Sequence, residues 1–339
     1  MLKRILNTLI LVIGTILILY INREKESKYT DFDEKPFIVD LDFCSDVDDA
    51  CAVRVATTLD KMGVVDLKAM MLCTTGENNI DALNGLLNYD GYSYLRIGLS
   101  ALDIPETSPY WNTLAKYRAP KISTTPSVKL YRQILVDCKN PVTIVTTGYL
   151  TNIAELMKSK PDEISDKSGI ELINENVKAL YITGGSYPDG YDNNLFFRKE
   201  AIDAAIYVNE NCEVPLYYIS SNNGAPFRCG GLLQAIDINR VDPLSQALDA
   251  FGTLDGRAAW DPLSVWIAAY TPEETRVVTE RVNLEIDPDT GFNTFYTDNE
   301  NGKHFRINRV DDNLIWYKQS LDALTVYDFD YNNEKSKEN

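Results

Sequence analysis

Five carboxylates fall within ten residues in the segment Ile38-Val-Asp40-Leu-Asp42-Phe-Cys-Ser-Asp46-Val-Asp48-Asp49-Ala50. An apolar run precedes them and a helical pattern follows. They therefore sit at the carboxyl end of a strand and the start of a helix, where ligands bind in an open α/β sheet. A helix N-terminus accounts for one or two acidic residues as caps, not for five. Crowded like charges either hold protons or gather a cation. A donor set made only of oxygen selects a hard cation, calcium or magnesium. The plainer alternative makes Asp46 a helix cap and leaves the others in solvent. One histidine, His304, occurs in the whole chain, and the six cysteines form no C-x-x-C pair. Histidine-rich metal sites, zinc ribbons and two-histidine mechanisms are therefore excluded.

Positioning such a cluster requires a strand and helix framework, and the hydrophobic pattern supplies one. Phe37-Ile38-Val39 leads into the cluster as a strand. Ala52, Val55, Ala56 and Leu59 follow at helical spacing. Leu67 to Cys73, Val142 to Thr146, Val177 to Thr183 and Val214 to Ile219 repeat the strand pattern. Helical stretches around Leu83 to Leu87 and from Ala201 to Val208 separate them, and Asn152 with Glu155 marks a helix start. The alternation predicts a doubly wound, mostly parallel sheet flanked by helices. Val282 to Ile286, Asn293 to Tyr296 and His304 to Ile307 predict a small antiparallel C-terminal addition, closed by a helix over about Asp312 to Leu324.

The acidic segment resembles the D-x-D-P-G-x-D-D-A motif of the inosine-uridine preferring nucleoside hydrolase family, in a variant two residues longer, D-x-D-x-x-x-D-x-D-D-A. Five further segments match that family in order. These are Leu72-Cys-Thr-Thr-Gly-Glu-Asn78, Val142-Thr-Ile-Val-Thr-Thr147-Gly-Tyr-Leu-Thr-Asn152-Ile-Ala, and Ile182-Thr-Gly-Gly185. Asp192-Asn-Asn194-Leu-Phe-Phe-Arg-Lys-Glu200-Ala and Trp260-Asp261-Pro-Leu-Ser-Val complete the set. The resemblance covers roughly residues 36 to 327 and implies calcium-dependent hydrolysis of the N-glycosidic bond of a ribonucleoside.

It also implies roles. Asp42, Asp49, the Thr147 carbonyl and Asp261 would hold Ca2+, with Asp42 as general base. Asp48, Asn78 and Asn194 would bind the ribose, with Asn79 able to replace Asn78 because the loop is one residue shorter. Asp192 stands where the family carries a glutamate for the 5′-hydroxyl, and its side chain is shorter. The largest departure is Trp260, where many members carry a histidine as acid for the departing base. An indole can stack on the base and favour its protonated form, which suits purine ribosides. Tyr187 and Tyr191 would add aromatic walls, and His304 reads as structural.

The net charge of −17 argues against a nucleic-acid partner. The partner expected is a small-molecule nucleoside, and the composition allows a homo-oligomer. Residues 5 to 21 are apolar after Lys3 and Arg4, long enough for a membrane anchor, and no A-x-A site follows. The expected organisation is a signal-anchor and tether at 1–35, a catalytic domain at 36–327 outside the cytosol, and a polar tail at 328–339. Secretion after cleavage is the alternative. Two competing functions are a membrane-tethered riboside binder with little turnover, and a D-x-D phosphatase using Asp40 and Asp42.

Overall fold

The computed structural model describes residues 35–76, 78–309 and 313–329. The expected membrane anchor at 5–21 and most of the polar tail lie outside the described residues. Among the described residues no helix is long and apolar enough to cross a membrane.

The strands are β1 (Pro36–Leu41), β2 (Asp66–Leu72), β3 (Arg96–Leu99), β4 (Thr124–Pro126), β5 (Val142–Thr146), β6 (Val177–Thr183), β7 (Asp189–Gly190), β8 (Leu216–Ile219), β9 (Arg228–Cys229), β10 (Arg257–Ala258), β11 (Val277–Ile286), β12 (Asn293–Thr297) and β13 (His304–Arg309). Eleven form one sheet in the order β4-β3-β2-β1-β5-β6-β8-β13-β11-β12-β7, and β9 pairs with β10 apart from it. Neighbours from β4 to β13 run parallel. The pairs β13–β11, β11–β12 and β12–β7 are antiparallel. The mostly parallel sheet is as expected. The small antiparallel C-terminal part is also as expected, and β13, which lies parallel to β8 with Phe305 paired to Tyr217, joins it to the main sheet.

All six residues of β1 are buried, as a central parallel strand covered on both faces requires. Its period of two assigns the faces. Phe37, Val39 and Leu41 belong to the core that contains Val55, Leu59, Leu83, Leu263 and Leu321. Ile38 belongs to the opposite core with Leu130, Ile134, Ile153 and Leu156. Asp40 shares the face of Ile38, whereas Asp42 lies beyond the strand end.

The helix Asp48–Lys61 is buried over most of its circumference. Its Arg54 ties several elements together. Nε lies 3.0 Å from Asp90 Oδ2, the two terminal nitrogens lie 3.1 Å from the Asp242 carboxylate, and Nη1 also donates to the Thr325 carbonyl at 3.2 Å. The C-terminal helix spans Leu314–Thr325. The expected cap at Asn152 is not one. The helix Thr151–Lys158 starts at Leu150 without a side-chain cap, and the Asn152 amide is spent on the Asp40 carboxylate and the Leu72 carbonyl, each at 3.0 Å.

Candidate active site

The site forms at the carboxyl ends of β1 and β5 and at the start of two helices. After β1 the chain turns through Cys44, which adopts a positive φ of 78°. Non-glycine residues rarely hold that conformation without support. Tyr110 provides it: its hydroxyl accepts from Cys44 N at 2.9 Å and donates to the Asp46 carbonyl at 2.8 Å. The turn delivers Asp42 and, one helical start later, Asp48 and Asp49.

Asp261 arrives from the opposite side, in the first turn of the helix Trp260–Ala269. That helix start sits hard against Gly224, where an added Cβ would meet Trp260 Cα at 2.6 Å. Asp48 Oδ2 accepts from Asp261 N at 3.1 Å and fixes the two helix starts to each other. Asp42, Asp49 and Asp261 then offer three carboxylate oxygens within 4.8 Å of one another. Ser45 Oγ lies 2.9 Å from Asp42 Oδ2 and 3.4 Å from Asp49 Oδ2. Asp49 Oδ1 is buried and has no hydrogen-bond partner.

Burial shapes the charges. It pushes Asp42 up to about 7, against the opposing hydrogen bond from Ser45 and with Glu106 and Asp46 adding repulsion. Burial first, then mutual repulsion, raises Asp48, Asp49 and Asp261 well above the usual carboxylate range. An orphaned buried carboxylate oxygen among crowded acids fits a hard divalent cation, whose charge offsets both effects.

The five carboxylates of the acidic segment do not act together. Asp40 faces the other side of the sheet and accepts from Tyr131 Oη at 2.8 Å and from Asn152. Burial pushes it up to about 7. Separated from Asp42 in this way, it removes the paired aspartates on which a D-x-D phosphatase depends. Asp46 is no helix cap either, since that position is Val47. Its carboxylate grips Arg257, with Nη2 at 2.6 Å and Nε at 2.9 Å.

Thr147 adjoins the end of β1, donating its N–H to the Asp40 carbonyl at 2.8 Å. At Gly148 a Cβ would fall 2.6 Å from Asp42 N, so only glycine permits this approach. Asn194 Nδ2 donates to the Thr147 and Thr183 carbonyls, both at 2.9 Å, which leaves its Oδ1 for another partner. Asp192 caps the short helix Asn193–Phe196 through Asn194 N at 3.1 Å, and burial pushes it up to about 6. Asn78 takes a positive φ of 68° at the start of the helix Asn79–Tyr89 and touches Asn112 at 3.4 Å. Asn79 is buried, and its Nδ2 donates to the Thr74 carbonyl at 3.2 Å.

Trp260 is half-buried and not a core residue. Its Nε1 donates to the Ser221 carbonyl at 3.1 Å, and the Arg257 guanidinium lies 5.2 Å from its ring centre. Tyr187 packs under Arg306, whereas Tyr191 is exposed against Phe196 and Phe292. His304 is buried in β13 and donates to the Asn209 carbonyl at 2.8 Å, a structural role. Sequence reasoning missed Ser45, Tyr110 and Arg257. It also missed the group in which Glu106 Oε1 accepts from Arg198 at 3.0 Å and from Tyr149 at 3.3 Å. Tyr110, Arg257 and the Glu106 group carry no local pattern, because each acts across a long sequence separation, whereas Ser45 lies within the acidic segment, three residues from Asp42.

A scan against protein-family models finds no match, and a search of curated proteins finds none either. Solved structures do match. The inosine-uridine preferring nucleoside hydrolase from Bacillus anthracis superposes with a TM-score of 0.64 at 14% identity, covering 85% of this chain and 99% of its own. The purine-preferring ribonucleoside hydrolase from Gardnerella vaginalis gives 0.65 at 16% identity, covering 86% and 98%. The type III effector protein XopQ, complexed with adenosine diphosphate ribose, gives 0.62 at 15% identity, covering 86% and 94%. The described residues, with the acidic site at the strand ends, thus adopt the fold of the nucleoside hydrolases.

Proposed function

We propose that this protein hydrolyses the N-glycosidic bond of a ribonucleoside, purine ribosides best, in a reaction that depends on calcium. One observation carries the reading: three buried carboxylates from two helix starts and one strand end converge, and one of their oxygens has no partner. Asp42, Asp49, Asp261 and the second lone pair of the Thr147 carbonyl would hold the cation. Bound there, the cation supplies positive charge that lowers the pKa of a nearby water and so makes it a nucleophile.

The chain's own residues do the rest. Asp42, oriented by Ser45, accepts the proton of the attacking water. The Asn194 amide is held by two carbonyls, so its Oδ1 points a fixed acceptor at a ribose hydroxyl. Asp48 keeps one oxygen for the same purpose while the other holds Asp261. Asn78 and Asp192 complete the ribose contacts. Trp260, with its N–H tied to Ser221, offers the base its ring and not its N–H.

The test is release of free base and ribose from inosine, adenosine, guanosine, uridine and nitrophenyl riboside, with and without chelator. Adenosine diphosphate ribose belongs in the panel because XopQ is complexed with it. Base release from purine ribosides, lost with chelator and restored by calcium, is expected. Full activity in metal-free protein, or release from none of the panel, overturns the reading.

A further inference from the structure

We propose that Arg257 is the catalytic residue that stabilises the departing base, in place of the acid histidine this site lacks. The inference rests on the hydrolase reading above. Cleavage leaves the electron pair of the C1′–N bond on the base, so negative charge grows there and needs a proton or a fixed positive charge. The chain's sole histidine, His304, is buried in β13 and bonded to the Asn209 carbonyl.

Arg257 lies on β10, held by pairing with β9 and three residues before Trp260. Asp46 takes its Nε and Nη2 in a two-point grip at 2.9 Å and 2.6 Å. That grip fixes the plane of the guanidinium, with Cζ 5.2 Å from the Trp260 ring and 5.4 Å from the Phe251 ring. Nη1 has no hydrogen-bond partner among the described residues, and the side chain is 31% exposed. The free N–H pair is thus held beside the aromatic surface proposed for the base. A guanidinium stays protonated at any working pH, so it acts as a donor and not as an acid. The water oxygen ends on C1′ and its proton on Asp42. The base leaves as an anion hydrogen-bonded to Nη1, then takes a proton from solvent. A preorganised donor aimed at developing charge is worth roughly two decades of rate.

Arg257→Met in the full-length protein should lose about 100-fold in kcat/KM on inosine and no more than about 3-fold on nitrophenyl riboside, whose leaving group needs no help. Added guanidinium ion should restore part of the inosine rate. Arg257→Lys keeps the charge, loses the planar fork, and should lose about 10-fold on inosine alone; it serves if the methionine variant misfolds. Asp46→Asn loosens the grip and should show the same selective loss in smaller measure. Equal losses on both substrates would make Arg257 a prop for Trp260 and overturn the inference, while leaving the hydrolase reading intact. A wild-type protein that cleaves neither substrate would overturn both.

Discussion

Asp49 Oδ1 is buried without a donor while three other acids crowd around it, so the metal-free site stores repulsion. Asp49→Asn should therefore raise the melting temperature in chelator while abolishing the stabilisation that calcium gives the wild type. A calcium-dependent shift that survives in this variant would show that Asp49 is no ligand. Asp42→Asn should cut kcat by several decades with a smaller effect on KM, because its role is in the chemical step. His304 gives a pH prediction. Burial lowers it to about 4, whereas the unfolded chain protonates near its ordinary value of 6.5. The unfolded state binds the extra proton in that window, so this contribution is full above pH 6.5 and lost as pH falls toward 4. Its size is about 3 kcal/mol. Denaturant titrations of His304→Gln should show a flatter slope between pH 6.5 and 4. The crowded carboxylates pointed to a cation site in the sequence, and the family resemblance added Asp261 to Asp42 and Asp49, three residues that the structure brings together. That Asp40 and Asp46 do other work was not legible. β1 ends at Leu41, so Asp40 stays in the sheet with Tyr131 and Asn152 while Asp42 enters the turn, and the partner that claims Asp46 lies 211 residues on.

At the scale of elements, the approach of the β5 turn to the end of β1 decides whether the Thr147 carbonyl and Asp42 can share a ligand. Gly148→Ala would push a Cβ into backbone at 2.6 Å, which cannot yield as a flexible side chain would. We expect calcium affinity to fall at least about tenfold, with a stability loss on the order of 2 kcal/mol. A variant with unchanged calorimetric calcium binding would refute the shared geometry. The parallel strands were legible because buried strands read as short apolar runs between helical patterns. β3 and β4 were not, because Arg96-Ile-Gly-Leu99 and Thr124-Thr-Pro126 carry no sustained apolar run. The place of β13 was not legible either, since a short strand carries no mark of its neighbour's direction.

Across the whole molecule, Arg54 binds the helix that carries Asp48 and Asp49 to three distant segments, through Asp90, Asp242 and Thr325. Arg54→Met would leave two buried carboxylates unpaired and should cost about 3–5 kcal/mol in chemical denaturation. A loss under 1 kcal/mol would mean that those acids accept protons at little expense. A chain beginning at Lys35 should keep full activity, since every candidate site residue among the described residues lies at position 42 or beyond. The insertion of β13 between β8 and β11 bears on synthesis. A ribosome emits β1 through β8 long before residues 304 to 309, and until then β8 presents an unpaired edge. The nascent chain therefore cannot finish its sheet in the order in which it is made. β7, made early, waits at the far rim for β12, and β11 and β12 wait for β13. Such long-range closure slows folding and leaves an adhesive edge exposed meanwhile. Ribosome-stalled chains ending before His304 should be protease-sensitive and should associate with chaperones, whereas release of the complete chain should confer protection.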